Sequence, residues 1–216
     1  MEGLPISSAI YIFNASMTFI YSMRQFKANR EKRNFYALRF ARLSMGVTIA
    51  FLLYGLPNLI HPGNPIINGF FYVLAIPPLL LGLNEGLKVA FEAWNLEKAG
   101  KFAIRFFSVI IILFFLSHLL AIPSGILDSG LIRWHVDYPY NIVFGLLVLA
   151  QALPIGFFLL ITRTESKKVI VKKILFGFTF ILGGLGGMAV VPLAYSSFSL
   201  LLFVGIIFLL DLYLKE

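Results

Sequence analysis

Long apolar stretches, separated by short segments that carry nearly all the cationic side chains, constrain this chain more than any other feature. A membrane-spanning helix needs about 20 apolar residues, and seven such stretches can be drawn along the sequence. They cover approximately residues 4–23, 35–59, 66–87, 102–122, 141–162, 174–191 and 197–214. The chain has 216 residues, of which 59% are hydrophobic, so little remains beyond these spans and their loops. The sequence therefore predicts an all-α polytopic membrane protein, with residues 1–216 forming a single seven-helix transmembrane domain.

The distribution of positive charge predicts how these spans are oriented. Basic residues follow the first, third and fifth spans, and only Arg133 falls on the opposite side. Because basic loops remain on the cytoplasmic side, we expect the N-terminus outside, the C-terminus inside and a multi-pass protein of the cell membrane. Residues 88–101 mix apolar and charged side chains, which is typical of a short amphipathic helix lying at the inner interface.

Composition excludes several classes of function. The net charge of +8 suits contact between a basic face and the anionic lipids of the bilayer, so no nucleic-acid partner is expected. The chain has no Cys, which removes disulfides, thiolate nucleophiles and Cys-ligated metals. No phosphate-binding loop, nucleophile elbow or zinc-protease motif is present. We therefore expect no enzyme activity, no cofactor and no metal site.

The loops indicate an internal arrangement of three, one and three helices. Spans one to three and spans five to seven each contain a basic inner loop, at residues 24–33 and 163–173, followed by a short outer turn. The fourth span would link two parallel triplets, as in some transporters with internal repeats. Any chain of alternating spans also produces similar loops, so both readings stay open.

Two amides and three prolines lie near the middle of the predicted spans. These residues are Asn14, Pro77, Pro78, Gln151 and Pro154. An amide in hydrocarbon must find a partner, and a proline frees a backbone carbonyl that neighbouring helices or water must satisfy. The amides either bond between helices or line a ligand site at the membrane midplane.

Five charged residues lie inside the spans near the cytoplasmic side: Arg39, Arg42, Glu85, Arg105 and Asp211. Isolated charges are costly there, so they face the bundle interior or form pairs. Snorkelling of the arginine stems, an ion-pair lock between helices two, three and seven, and a proton-coupling carboxylate are the three alternatives.

The outer side carries a second candidate ligand surface, formed by Trp134, His135 and Asp137 in the longest loop, residues 123–139. His61 and His118 lie at the same side. Imidazole and carboxylate can bind metal or haem, but no histidine pair has a ligand spacing. An interfacial or aqueous rim is the simpler interpretation.

The sixth span contains four glycines, Gly183, Gly184, Gly186 and Gly187. Small residues four apart let helix backbones approach closely, and this many glycines also weaken a helix enough to form a gate. Close helix packing and a gate are therefore both possible roles for this segment.

Three functions fit these features. The leading hypothesis is a binding or signal-coupling module, receptor-like or an accessory subunit, that responds to a small molecule, a lipid or a protein partner, or acts as a homo-oligomer. The second is a small-solute transporter with a midplane site, and the third is a membrane subunit that holds haem or quinone near His61 and His118.

Overall fold

A computed structural model of the chain describes residues 6–61, 63–128, 130–163, 166–189, 204–211 and 213. Its described elements are α1 (Ile6–Lys32), α2 (Phe35–Ile60), α3 (Pro65–Ala93), α4 (Glu97–Leu120), β1 (Ser124–Asp128), β2 (Leu131–His135), α5 (Tyr138–Ile161) and α6 (Lys167–Ala189). Residues 204–211 are also helical and are called the C-terminal segment below. Apart from one β-hairpin, the regular structure of these residues is α-helical. The rest of the predicted seventh span lies outside the described residues.

The helices pack in a closed order around the bundle. Consecutive contacts join α1 to α2, α2 to α3, α3 to α5, and α5 to α6. The C-terminal segment completes the circle, because the Phe208 ring lies 5.0 Å from Phe176 of α6 and 5.3 Å from Tyr21 of α1. Helix α4 packs on the outside of this arrangement, mainly against α3.

Helix α3 lies at the centre of the packing. It contacts α2, α4, α5 and the first strand of the hairpin, and its middle buries Val73, Ile76 and Leu80 completely. Its backbone remains helical through Pro77 and Pro78. The closest approach to α2 occurs at Gly46 and Gly82, where a Cβ on Gly46 would lie 2.3 Å from the Pro78 carbonyl oxygen. Larger residues at this crossing would separate the two helices.

The predicted outer loop forms an antiparallel hairpin, which the sequence interpretation had missed. Strands β1 and β2 pair from Ser124 with His135 to Asp128 with Leu131. Gly130 in the turn has a φ of +81°, a conformation that favours glycine. The local signal was the Ser-Gly dipeptide at 129–130 between two apolar pairs, since such dipeptides mark turns.

The prediction of a separate amphipathic helix over residues 88–101 is wrong. Helix α3 continues to Ala93, and α4 begins at Glu97. Between them Asn95 adopts a left-handed conformation with φ of +57°, which an asparagine tolerates and which ends a helix. The first basic segment likewise belongs largely to α1, which extends to Lys32.

Four described helices are long and apolar enough to cross a membrane: α2, α3, α4 and residues Pro139–Ile161 of α5. The chain is therefore a multi-pass membrane protein with several candidate transmembrane helices. The hairpin lies at the end of the bundle where α3 begins, and the basic ends of α1 and α6 meet at the opposite end, at Asp211. The count of seven spans remains a prediction, as does the side of the membrane on which each end of the bundle lies.

The absence of Cys makes the orientation directly testable with single-cysteine variants. We expect His135→Cys to react with a membrane-impermeant maleimide on intact cells, because His135 is exposed on the hairpin. Lys98→Cys and Ser166→Cys, also at exposed positions, should react only after permeabilisation, because basic segments remain inside. Labelling of residue 166 on intact cells would reverse the assignment.

Candidate functional site

A buried polar cluster holds the hairpin to the helix ends. The Asn58 amide oxygen at the end of α2 accepts hydrogen bonds from the Asn68 side chain at 3.0 Å and from the Gly63 amide at 3.2 Å. Asn68 also donates to the Gly125 carbonyl in β1 at 3.3 Å. Both asparagines are almost fully buried, and the Asn68 amide oxygen has no hydrogen-bond partner. The cluster therefore joins α2, α3 and the hairpin.

A second set of contacts ties the hairpin to the start of α1. The Ser7 amide donates to the Gly130 carbonyl at 3.1 Å, and the Ile132 amide donates to the Ser7 hydroxyl at 3.0 Å. Close packing supports these bonds, because a Cβ on Gly69 of α3 would lie 1.6 Å from the Pro123 carbonyl oxygen. The hairpin is consequently fixed to three helix ends.

Trp134 places an aromatic ring beneath the hairpin. It is half-buried, and its ring centroid lies 4.9 Å from Tyr72 of α3 and 6.0 Å from Tyr54 of α2. The other two residues of the predicted outer surface, His135 and Asp137, are exposed. The predicted ligand surface thus has one packed member and two accessible ones.

The three histidines have different surroundings. His61 and His135 are exposed, whereas His118 is 1% exposed and enclosed between α4 and α5. Its ring lies 4.2 Å from Phe114 and 4.5 Å from Tyr140, its Nδ1 is 3.1 Å from the Phe114 carbonyl, and its Nε2 has no partner. Among the described residues, no group of three His, Asp or Glu side chains could hold a metal ion.

Gln151 connects the middle of the bundle. Its side-chain nitrogen donates to the Asn84 amide oxygen at 2.8 Å and to the Leu80 carbonyl at 3.3 Å, both on α3. Asn84 in turn donates to the Ser108 hydroxyl of α4 at 3.3 Å. The Gln151 oxygen is buried without a partner. A chain of amides therefore links α5, α3 and α4, near the half-buried Pro77, Pro78 and Pro154.

Asn14 belongs to a different contact, between α1 and the C-terminal segment. Its nitrogen donates to the Ile10 carbonyl of its own helix at 2.9 Å, and its oxygen has no partner. That oxygen would lie 2.9 Å from a Cβ on Gly205. Asn14 and Gln151 share no hydrogen-bond partner, so the structure does not bring them together into one site.

The charged residues at the basic end of the bundle form two separate clusters. Glu85 of α3 accepts a bond from Arg39 of α2 at 2.6 Å, lies 3.8 Å from Arg42, and pairs with Lys88. Asp211 of the C-terminal segment pairs with Lys172 of α6 at 3.4 Å and with Arg24 of α1 at 3.9 Å. Arg39 also lies 4.6 Å from the centre of the Phe35 ring.

The two clusters differ from the predicted ion-pair lock, which would have joined helices two, three and seven in one network. Asp211 is bonded to α1 and α6 rather than to the arginines of α2, because the C-terminal segment packs between α1 and α6. Arg105 is exposed on α4, the helix at the periphery of the bundle, and it forms no ion pair with a residue in the described ranges. Its long stem can reach the headgroups instead.

The four predicted glycines of α6 do not share one packing role. Gly184 faces Ala152 of α5, whose Cβ lies 3.2 Å from a Cβ built at 184, whereas a Cβ at Gly183 meets nothing within 4 Å. Gly186 and Gly187 lie at the end of α6. The tightest α5–α6 contact involves Gly156 and Gly177, where a Cβ on Gly156 would lie 2.8 Å from the Gly177 carbonyl oxygen.

Sequence reasoning missed several contacts around the candidate residues. They involve Asn58, Asn68, Asn84, Lys88, Arg24, Lys172 and Gly177. An available signal was the spacing of Asn68 and Asn84 on α3, two amides inside one apolar stretch, which predicts interhelical bonding for the same reason as Gln151.

Comparisons do not extend these observations to a known family. A scan against protein-family models finds no match, and neither curated proteins nor solved structures show a significant match to this chain.

Glu85→Gln should destabilise the basic end of the bundle much more than Glu31→Gln. Glu85 is 16% exposed and surrounded by three cations, whereas Glu31 is 56% exposed and 3.9 Å from Lys27. We expect a loss of about 1.5–3 kcal/mol for Glu85→Gln, because cations are left without a partner. The exposed pair should contribute about 0.5 kcal/mol or less. Reversible unfolding in detergent measures both, and equal losses would contradict a special role for Glu85.

Proposed function

We propose that the protein is a non-catalytic signal-coupling module of the cell membrane, receptor-like or an accessory subunit, with seven spans and a cytoplasmic C-terminus. The observation that carries this proposal is the polar bonding of one helix, α3, at two levels. Asn68 bonds the hairpin and α2 near the start of the helix. Farther along, the adjacent residues Asn84 and Glu85 bond α4 and α5, and α2, respectively.

The hairpin is the proposed input. It presents His135 on its exposed side, with the exposed Asp137 two residues further on at the start of α5, and packs Trp134 against Tyr72 of α3 on the other side. A small molecule, a lipid or a protein partner that contacts the exposed side would therefore displace a group that touches α3 directly. Such a displacement needs a two-state element to act as a switch.

The Glu85 cluster is the proposed output. Glu85 directly follows Asn84 on α3. A shift of this helix therefore moves both the bond between Asn84 and Gln151 and the ion pairs of Glu85 with Arg39 and Arg42. Ion pairs of this kind have discrete alternatives, which makes them suitable for switching. The adjoining basic surface would present the change to a protein partner, a second copy of the chain or anionic lipid.

Coupling between the two ends can be measured with a buried reporter cysteine. Ala90 lies near the inner end of α3 and is 0% exposed, so Ala90→Cys should react slowly with a soluble maleimide in nanodiscs. Adding Asn68→Ala, which cuts the links to α2 and the hairpin, should accelerate the reaction about five- to thirtyfold, the effect of 1–2 kcal/mol on an opening equilibrium.

Asn64→Ala is the matched control. Asn64 lies one turn earlier on α3 and caps it by accepting bonds from the Ile66 and Ile67 amides. Its loss weakens the same helix end by about 1 kcal/mol without cutting a contact to the hairpin, so Ala90→Cys should label at its original rate. If Asn68→Ala accelerated labelling at Ile132→Cys in the hairpin but not at Ala90→Cys, the two ends would be independent and the proposal would fail.

We propose a small-solute transporter as the second candidate. It is supported by the unpartnered Gln151 oxygen, by the two prolines inside the helix that Gln151 bonds, and by the order of helix contacts. The neighbours α1–α2–α3 and α5–α6–C-terminal segment follow the same sequence, as two parallel triplets linked by α4 would. The fully buried Ile76, Leu80 and Ile155 in the same region favour coupling over transport.

Proteoliposomes test transport directly with isotope-labelled sugars and neutral amino acids. Under this candidate, uptake should exceed that of protein-free liposomes, and Gln151→Leu should abolish it because the acceptor oxygen is removed. Ser16→Ala, which deletes an exposed hydroxyl on α1, should leave uptake unchanged. Uptake that is unaffected by Gln151→Leu would contradict the midplane site, and uptake that depends on Gln151 would overturn the leading proposal.

A further inference from the structure

The last turn of α5 and the first turns of α6 enclose a groove that is lined partly by aliphatic and partly by cationic side chains. Its volume is about 640 Å³, and its apolar wall consists of Leu160, Ile161, Ile170 and Ile174. The groove is also lined by Thr162, Arg163 and Lys173. Ile161 and Ile174 are 62% and 43% exposed, so the groove is open at the surface of the bundle.

The positive charge of this groove is not paired with any carboxylate in the described part of the chain. Arg163 and Lys173 form no ion pair with any residue that the structure describes. The neighbouring Lys172 behaves differently, because its ammonium group is bonded to Asp211 at 3.4 Å and is 15% exposed. Successive residues of a helix point about 100° apart, so α6 directs one lysine into the bundle and the next into the groove.

The depth of the groove decides what class of molecule fits it. The groove starts at the last turn of α5, a candidate membrane span, where the apolar core of the bilayer gives way to headgroups. A soluble anion would satisfy the two cations but would leave three exposed isoleucines and the partly buried Leu160 without an apolar partner. An amphiphile with an anionic head and aliphatic chains satisfies both parts of the lining.

We propose that the α5–α6 groove binds one anionic phospholipid of the inner leaflet. The phosphate lies between Arg163 and Lys173, and an acyl chain follows Ile170 and Ile174 toward the membrane core. Basic residues at the end of a span attract anionic lipid by their charge, and the aliphatic wall retains the chain by excluding it from water.

Native mass spectrometry of the full chain in detergent, with dioleoyl phosphatidylglycerol or dioleoyl phosphatidylcholine added, tests this directly. We expect one phosphatidylglycerol to be retained with an affinity about tenfold higher than that of phosphatidylcholine. Arg163→Gln combined with Lys173→Gln should lower this affinity about tenfold to thirtyfold, because two cations at the headgroup are lost. Inorganic phosphate at millimolar concentration should not displace the lipid, because it lacks the chain.

Two further variants separate a groove from a general charge effect. Lys98→Gln combined with Lys101→Gln removes the same charge from exposed positions at the start of α4, and affinity should change less than twofold. Ile174→Trp keeps every charge and fills the groove, and it should lower phosphatidylglycerol retention about tenfold.

Four results would overturn the proposal. They are equal retention of the two lipids, an equal loss in the α4 control, unchanged retention in Ile174→Trp, and displacement by inorganic phosphate. The first two indicate non-specific attraction, and the last two indicate an anion site without a chain.

Discussion

Hydrocarbon cannot supply hydrogen bonds, and this constraint determines how α3 is held in the bundle. Each polar side chain buried in a span must find a partner in the protein or leave its desolvation cost unpaid. On α3 the polar residues lie at two levels, Asn68 near the hairpin and the adjacent residues Asn84 and Glu85 toward the basic end. Asn84 belongs to the amide chain that runs from Ser108 to Gln151. One helix thereby carries the polar contacts of the hairpin, α2, α4 and α5.

The remaining contacts are organised by side-chain size and charge. Where helices cross closely, glycine faces backbone, as at Gly46 with Pro78 and at Gly156 with Gly177. Where the C-terminal segment packs between α1 and α6, aromatic rings fill the space and Asp211 pairs with both neighbours. At this end of the bundle one ion cluster joins α2 to α3, and the other joins the C-terminal segment to α1 and α6.

The sequence predicted the features that depend on local composition. The apolar stretches indicated a multi-pass helical protein, and Glu85 and Gln151 stood out as polar residues inside such stretches. The partners of these residues depend on helix packing, which no single stretch encodes, so the grouping of Asp211 with Arg24 and Lys172 was not predicted. The end of α3 was misjudged because a left-handed Asn95, rather than a change in composition, ends the helix. The hairpin was missed because its strands are only five residues long.

Helix α4 has few contacts with the rest of the bundle, so its position depends largely on the lipid around it. Only Gly100, Ile111, Phe114 and His118 are buried along its 24 residues, while Phe102, Val109, Ile112 and Leu113 are exposed on its other faces. A helix with so few protein contacts adjusts its tilt to match its apolar length to the thickness of the bilayer. Ser108 lies on this helix and is hydrogen-bonded to Asn84, so a thicker or thinner membrane would strain the amide chain in the interior. Lipid composition thus has a mechanical route to the centre of the protein that requires no ligand.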